Sequence, residues 1–200
     1  TLACYMIEQS GSKTFEKTRK KLWQSEKEVF DIIDKLTLSI VEVLHFQAKC
    51  GVDTLMIFDT WSHMIPNRYW NKLAVKPIAK IIKELRRRKV NIPIIGFPFK
   101  AGEKLIQYSY ESKVDVVSID WNTDMQWAIN NINEEVCTQG NLDPIDLYVG
   151  GKDLEKKVKG IMEQFKGIKH IFNLSHGIYP KTPLKNVYKT IELVRNANVT

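Results

Sequence analysis

Residues 170–183 read HIFNLSHGIYPKTP, and this stretch sets the architecture. His170 to Leu174 is a short apolar run with Gly177 and Pro180 as breakers behind it, the pattern of a buried strand. Thr182 then suits a helix N-cap and Pro183 the first helical position, where a missing N–H costs nothing. His176 therefore falls on a loop just past the C-terminal end of a strand. In parallel α/β folds ligands bind at that end.

Upstream, the same strand–helix unit repeats. Ser25-Glu26-Lys27-Glu28 matches a capping box, and Val29, Phe30, Ile33, Leu36, Ile40, Val43 and Leu44 recur at helical spacing until Gly51 stops them. The pattern then predicts strands over 52–58, 93–97, 114–119 and 136–139. Helices are expected over 77–89, 102–112, 123–131 and 152–165, the last with Leu154, Val158, Ile161 and Phe165 as its buried stripe and Gly167 as its stop. Five strands, each followed by a helix, require parallel pairing through right-handed crossovers. The fold class is α/β. A complete eight-stranded barrel needs ~250 residues, so the 200 residues present fall short by three units. The first of them should be the absent ones, because 1–7 begins without a preceding strand. No linker or composition shift divides the chain, so one domain is expected over 1–200.

Composition narrows the classes. At 44% hydrophobic residues the chain can bury a sizeable core. No apolar run approaches the ~20 residues of a membrane span, and the opening lacks the basic-then-apolar pattern of a signal peptide, so no membrane association is expected. Cys4, Cys50 and Cys137 are odd in number and far from CxxC spacing, which argues for a reducing, cytoplasmic setting without a disulfide framework or zinc ribbon. The net charge of +7 suits an anionic ligand. Its densest run, Arg86-Arg87-Arg88-Lys89, ends an amphipathic helix marked by Ile78, Ile81, Ile82 and Leu85. Cations complement the dipole there, so the run reads as a solvated helix end, not a nucleic-acid patch.

Several segments resemble the uroporphyrinogen decarboxylase family, in the family's order. TLACYMIE (1–8) is similar to the helix start after its third barrel strand, LMIFDTW (55–61) to the end of the fourth, and 93–102 to the fifth. VVSIDW (116–121) resembles the sixth, QGNLDP (139–144) the seventh, and the segment around His176 the family's C-terminal signature. The resemblance implies a partial TIM (β/α)8 barrel: the five C-terminal parallel strand–helix units, with strands one to three absent. It implies cofactor-independent removal of carboxyl groups from the four acetate side chains of uroporphyrinogen III, giving coproporphyrinogen III on the route to haem. No cofactor and no metal are expected, and the family is commonly a homodimer. Its pyrrole-holding aspartate and carboxylate-binding arginines lie in its N-terminal third, so the resemblance assigns no catalytic residue to these 200 residues and predicts that they are inactive alone.

The resemblance assigns substrate contacts to Tyr5, Thr60 and His176. By residue type alone Tyr5 is a core phenol with one satisfied hydroxyl, or a ligand contact. Thr60 either caps the turn after the strand or donates to a carboxylate, and Asp59 can be a turn acceptor. His176, between Ser175 and Gly177, can donate to an anionic acetate or propionate. Phe58, Asp120 and Asn141 stand at strand ends beside them; Asp120 and Asn141 either orient substrate or hold loops by hydrogen bonds. His45 and His170 read as packing or surface residues and form no metal pair. Two departures stand out: Trp61-Ser62-His63 replaces the family's Trp-Ala-Gly, and Ser175 replaces a glycine. A histidine in place of glycine would crowd the pocket mouth or force the backbone from a left-handed conformation. A cobalamin-related methyltransferase of the same barrel is the within-fold alternative, opposed by the lack of a late cysteine after Cys137. A non-catalytic binding module is the alternative of another class.

Overall fold

A glutamate-rich start and a repeating apolar stripe make the longest element, and the chain is built around it and its successors. The computed structural model describes residues 1–197, which cluster into two compact units, Thr1–Asp115 and the remainder from Val116 on. The expected domain over 1–200 therefore reaches past the described residues.

The first unit opens with α1 (Leu2–Glu8) and α2 (Glu16–Gln24), followed by α3 (Glu26–Lys49). Only α1 and α3 are legible in the sequence; α2 is too polar to show an apolar stripe. Ser25 stands at the α3 N-cap without bonding a helix N–H through its side chain, so only part of the expected capping box forms. Glu28 of that box pairs instead with Lys21.

Next come β1 (Leu55–Asp59), a helical run made of α4 (Asn67–Trp70), a π turn (Asn71–Val75) and α5 (Lys76–Arg87), then β2 (Ile94–Pro98) and α6 (Leu105–Glu111). The sequence places the start of this run at Pro77, but it begins ten residues earlier, after Pro66. Pro77 removes one main-chain donor and clashes with the preceding turn, and the π turn just before it relieves both. β1 begins at Leu55, not at residue 52. β1 and β2 pair in parallel, Leu55 opposite Ile94 and Asp59 opposite Pro98. Ile78, Ile81, Ile82 and Leu85 are buried as the periodicity predicts. The arginines at the end of α5 are consumed by the fold. Arg86 donates to the Val90 and Ile92 carbonyls and to Asp115, whose carboxylate also accepts the Ile94 N–H. Arg88 bridges Glu42 and Glu84, and Arg87 and Arg88 together hold the Glu84 carboxyl down at about 2.

The second unit contains β3 (Val116–Ser118), α7 (Met125–Asn131), β4 (Cys137–Leu142), α8 (Pro144–Val149), α9 (Gly151–Gln164), β5 (His170–Leu174) and α10 (Leu184–Ala197). β3, β4 and β5 are parallel neighbours in chain order. β5 coincides with the expected strand in extent but not in burial: none of its five residues is buried and Ile171 is exposed, because only β4 pairs beside it among the described residues of this unit. β4 runs three residues further than expected, through Gly140 to Leu142. α8 has no counterpart in the sequence reading, although its start carries a clear signal: Asp143 caps it by accepting the Ile145 N–H, and Pro144 occupies the first turn. The expected Thr182 cap is not formed. α10 starts at Leu184, and the Thr182 hydroxyl is buried without a hydrogen-bond partner. No described helix is long and apolar enough to cross a membrane.

Candidate functional site

In the first unit the loop leaving β1 is tied to the start of α1. Thr1 Oγ1 donates to Asp59 Oδ1 at 2.7 Å and accepts the Trp61 N–H at 3.0 Å. The backbone nitrogen of Thr1 lies 2.8 Å from the same carboxylate oxygen. Asp59 thus works as a clamp between two segments 58 residues apart, a larger task than the turn acceptor read from sequence. Thr60, immediately after, is half-buried. Phe58 is 61% exposed, edge-on to Phe97 at 6.3 Å. Tyr5 is 53% exposed on α1, so it is not the core phenol that residue type alone allows.

The departure at residues 61–63 has a structural answer. Ser62 is fully buried and its hydroxyl donates to the Phe99 carbonyl at 3.1 Å. Residues 62–64 form a 3₁₀ turn, and His63 does not have a positive φ. No left-handed conformation is therefore adopted at the position where the resemblance puts glycine.

In the second unit His176 stands exposed on the loop after β5, edge-on to Trp121 with ring centres 6.5 Å apart. Ser175 anchors that loop: it is fully buried, and both its N–H and its hydroxyl donate to the Leu142 carbonyl, at 2.9 and 3.0 Å. The side chain standing where the resemblance puts glycine is thus a tether to β4. Asp120 and Asn141, both buried, belong to one network. The Asn141 side-chain amide donates to the Asp120 carbonyl at 3.1 Å and to the Thr123 carbonyl at 3.0 Å, while Asp120 Oδ1 accepts the Asn122 N–H. These bonds hold the loop after β3 against β4.

His170 is the residue whose environment sequence reasoning missed. Its ring stacks on Phe165 at 3.6 Å, and its two nitrogens lie 2.8 Å from Thr138 Oγ1 and the Gly140 carbonyl. Burial pushes its pKa from 6.5 down to about 4, against the Gly140 bond, which favours protonation. A strand histidine shows no such partners in its local sequence, since Phe165, Thr138 and Gly140 arrive through tertiary structure. Among the described residues no cluster of three or more His, Cys, Asp or Glu side chains is placed to hold a metal ion.

Parallel strands alternating with helices in both units define the class of protein, an α/β fold. The chain belongs to the uroporphyrinogen decarboxylase family, whose model, described as "Uroporphyrinogen decarboxylase (URO-D)", matches residues 1–197. It is 37% identical over 195 residues to a uroporphyrinogen decarboxylase of Rhizorhabdus wittichii and 35% identical over 195 residues to that of Novosphingobium aromaticivorans. In each case the match covers 98% of this chain and 57% of the relative. The chain thus spans just over half the length of these relatives, their C-terminal part. Among solved structures, a methyltransferase from Methanosarcina mazei shares the fold with a TM-score of 0.74 at 14% identity, over 97% of this chain and 62% of that one.

Proposed function

We propose that this chain supplies carboxylate contacts for a uroporphyrinogen decarboxylase, which takes the four acetate side chains of uroporphyrinogen III to methyl groups without a cofactor. The observation that carries the reading is the family match across residues 1–197, running through each of the strand-end loops. Tyr5, Thr60 and His176 are read as donors to substrate carboxylates from phenol, hydroxyl and imidazole. Phe58 offers an exposed apolar face to the pyrroles, and Asp120 and Asn141 support the loops. In the reaction a pyrrole ring is protonated, the bond to the departing carboxylate breaks with its electron pair passing into the ring as CO2 leaves, and the exocyclic methylene left behind takes a proton to become the methyl group while the ring gives its added proton back. The acidic group that holds the pyrrole N–H groups as positive charge develops belongs to the family's N-terminal third. These 200 residues include no counterpart, so transition-state stabilisation suffers more than binding. The same reading takes the assembled enzyme as a cytoplasmic homodimer.

The test is an anaerobic assay of uroporphyrinogen consumption on the 200-residue chain beside a chain extended at its N-terminus to the family's full length. We expect turnover only from the extended protein; comparable turnover from both would place the chemistry elsewhere. Within the extended protein, Thr60→Ala and His176→Ala should each lower kcat/KM by the equivalent of ~1–3 kcal/mol, the cost of a lost hydrogen bond to a charged group. Uroporphyrin binding without turnover in either form would favour a binding module. The methyltransferase likeness rests on fold and does not compete with this reading.

A further inference from the structure

Two consecutive residues at the end of β4 each pin a different loop. The Asn141 side-chain amide donates to the Asp120 and Thr123 carbonyls at 3.1 and 3.0 Å, so the segment leaving β3 is fastened at both ends. Within it the Thr123 N–H donates to the Asp120 carbonyl at 3.0 Å, closing a turn with Trp121 at its second position, and Asp120 Oδ1 accepts the Asn122 N–H at 2.8 Å. The Leu142 carbonyl, next along β4, accepts both the N–H and the hydroxyl of Ser175. Two hydrogen bonds from one residue to one carbonyl restrict the rotations between them, and the following residue inherits that restriction. Ser175 is fully buried, whereas His176, one residue on, is exposed. The two fastened loops meet at the rings of Trp121 and His176, packed edge-on with their planes at 74°.

We propose that Ser175 and Trp121 are positioning residues for His176: the paired hydrogen bonds to Leu142 fix where the loop leaves β5, and the indole fixes how the imidazole stands, so that the ring is presented to a substrate carboxylate before the ligand arrives. This rests on the reading of His176 as a substrate contact. An imidazole free to rotate loses that freedom on binding, whereas one already ordered has lost it on folding. For one side chain the difference is about two- to ten-fold in affinity.

The first measurement needs no ligand. In the 200-residue chain, nuclear Overhauser contacts should join the ring protons of His176 to those of Trp121. Ser175→Gly keeps the main-chain bond to Leu142 but removes the hydroxyl and frees the backbone. Those contacts should weaken in it, while the Asn141 side-chain amide resonances stay in place and report an intact end of β4. Should Ser175→Gly move those resonances, Ser175→Ala, which removes the hydroxyl alone, decides by the same criterion. Ring contacts of undiminished strength overturn the proposal.

The second measurement is uroporphyrin III binding, followed by the anisotropy of the porphyrin's own fluorescence, a signal that does not depend on any tryptophan. Ser175→Gly and Trp121→Ala should each weaken binding about two- to ten-fold, and Trp121→Phe, which keeps an aromatic edge, should restore most of the loss. In the His176→Ala background neither Ser175→Gly nor Trp121→Ala should cost anything further. A merely structural role would give the same loss with or without His176, and such additive losses overturn the proposal. If the ring contacts behave as expected while the unmodified chain does not bind, or His176→Ala binds like it, the positioning stands and the substrate role of His176 is what fails.

Discussion

Gly140→Ala is expected to destabilise the protein by ~3–5 kcal/mol, a large share of the ~5–15 kcal/mol that typically holds a domain folded. Gly140 lies inside β4, paired opposite Phe172 of β5, with a φ of +137° that a residue bearing a Cβ rarely adopts. A Cβ built there would lie 2.6 Å from the Ile119 carbonyl oxygen and 3.2 Å from Ile119 Cγ1. The first contact is with main chain and cannot be relieved by a rotamer change. The Gly140 carbonyl also accepts from His170, so any displacement of the strand loosens a second buried contact. Gly160→Ala provides the contrast. Gly160 is inside α9, its added methyl would meet nothing within 4 Å, and the change should stabilise by ~0.5–1 kcal/mol through helix propensity. Urea unfolding followed by circular dichroism measures both. A Gly140→Ala midpoint within error of the unmodified protein would mean that the close approach to Ile119 is not maintained in solution.

Lowering the pH from 7 to 4 should cost ~2 kcal/mol of folding stability through His170, after discounting for its partial exposure. Burial depresses its pKa from 6.5 to about 4, so between these values the unfolded chain binds the proton and the folded one does not. The linkage is therefore unfavourable to folding as acid is added. The loss begins near 6.5, the unfolded value, and levels off near 4, the folded one. The neutral ring suits its site, donating to the Gly140 carbonyl and accepting from the Thr138 hydroxyl. A second ring proton would displace the Thr138 bond. Unfolding midpoints measured across this range for the unmodified protein and His170→Gln should converge toward acid pH, since the variant lacks the titration. Parallel curves would assign the acid sensitivity to other groups.

The sequence by itself determined the strand–helix alternation, because the signals involved are local. HIFNL followed by Ser-His-Gly encodes a strand and its stop within eight residues, and the stripe from Leu154 to Ile161 encodes the buried face of α9. It also determined the family and the strand-end loops that carry Thr60 and His176, since those motifs are contiguous. Where local signals compete, the reading slipped by a few residues or missed a short element. Pro77 looked like a helix start but lies within a longer run, and Asp143-Pro144 starts a six-residue helix too short for periodicity to reveal. Only the tertiary structure decided what became of the side chains whose partners are distant in sequence. It tied Asp59 to Thr1, turned Ser175 into a tether to Leu142, set His63 between Trp61 and Phe99, and packed His170 against Phe165, Thr138 and Gly140. The physical reason is that periodicity and capping act over a turn or two of chain, whereas desolvation and hydrogen-bond satisfaction depend on which atoms the completed fold brings within a few ångströms.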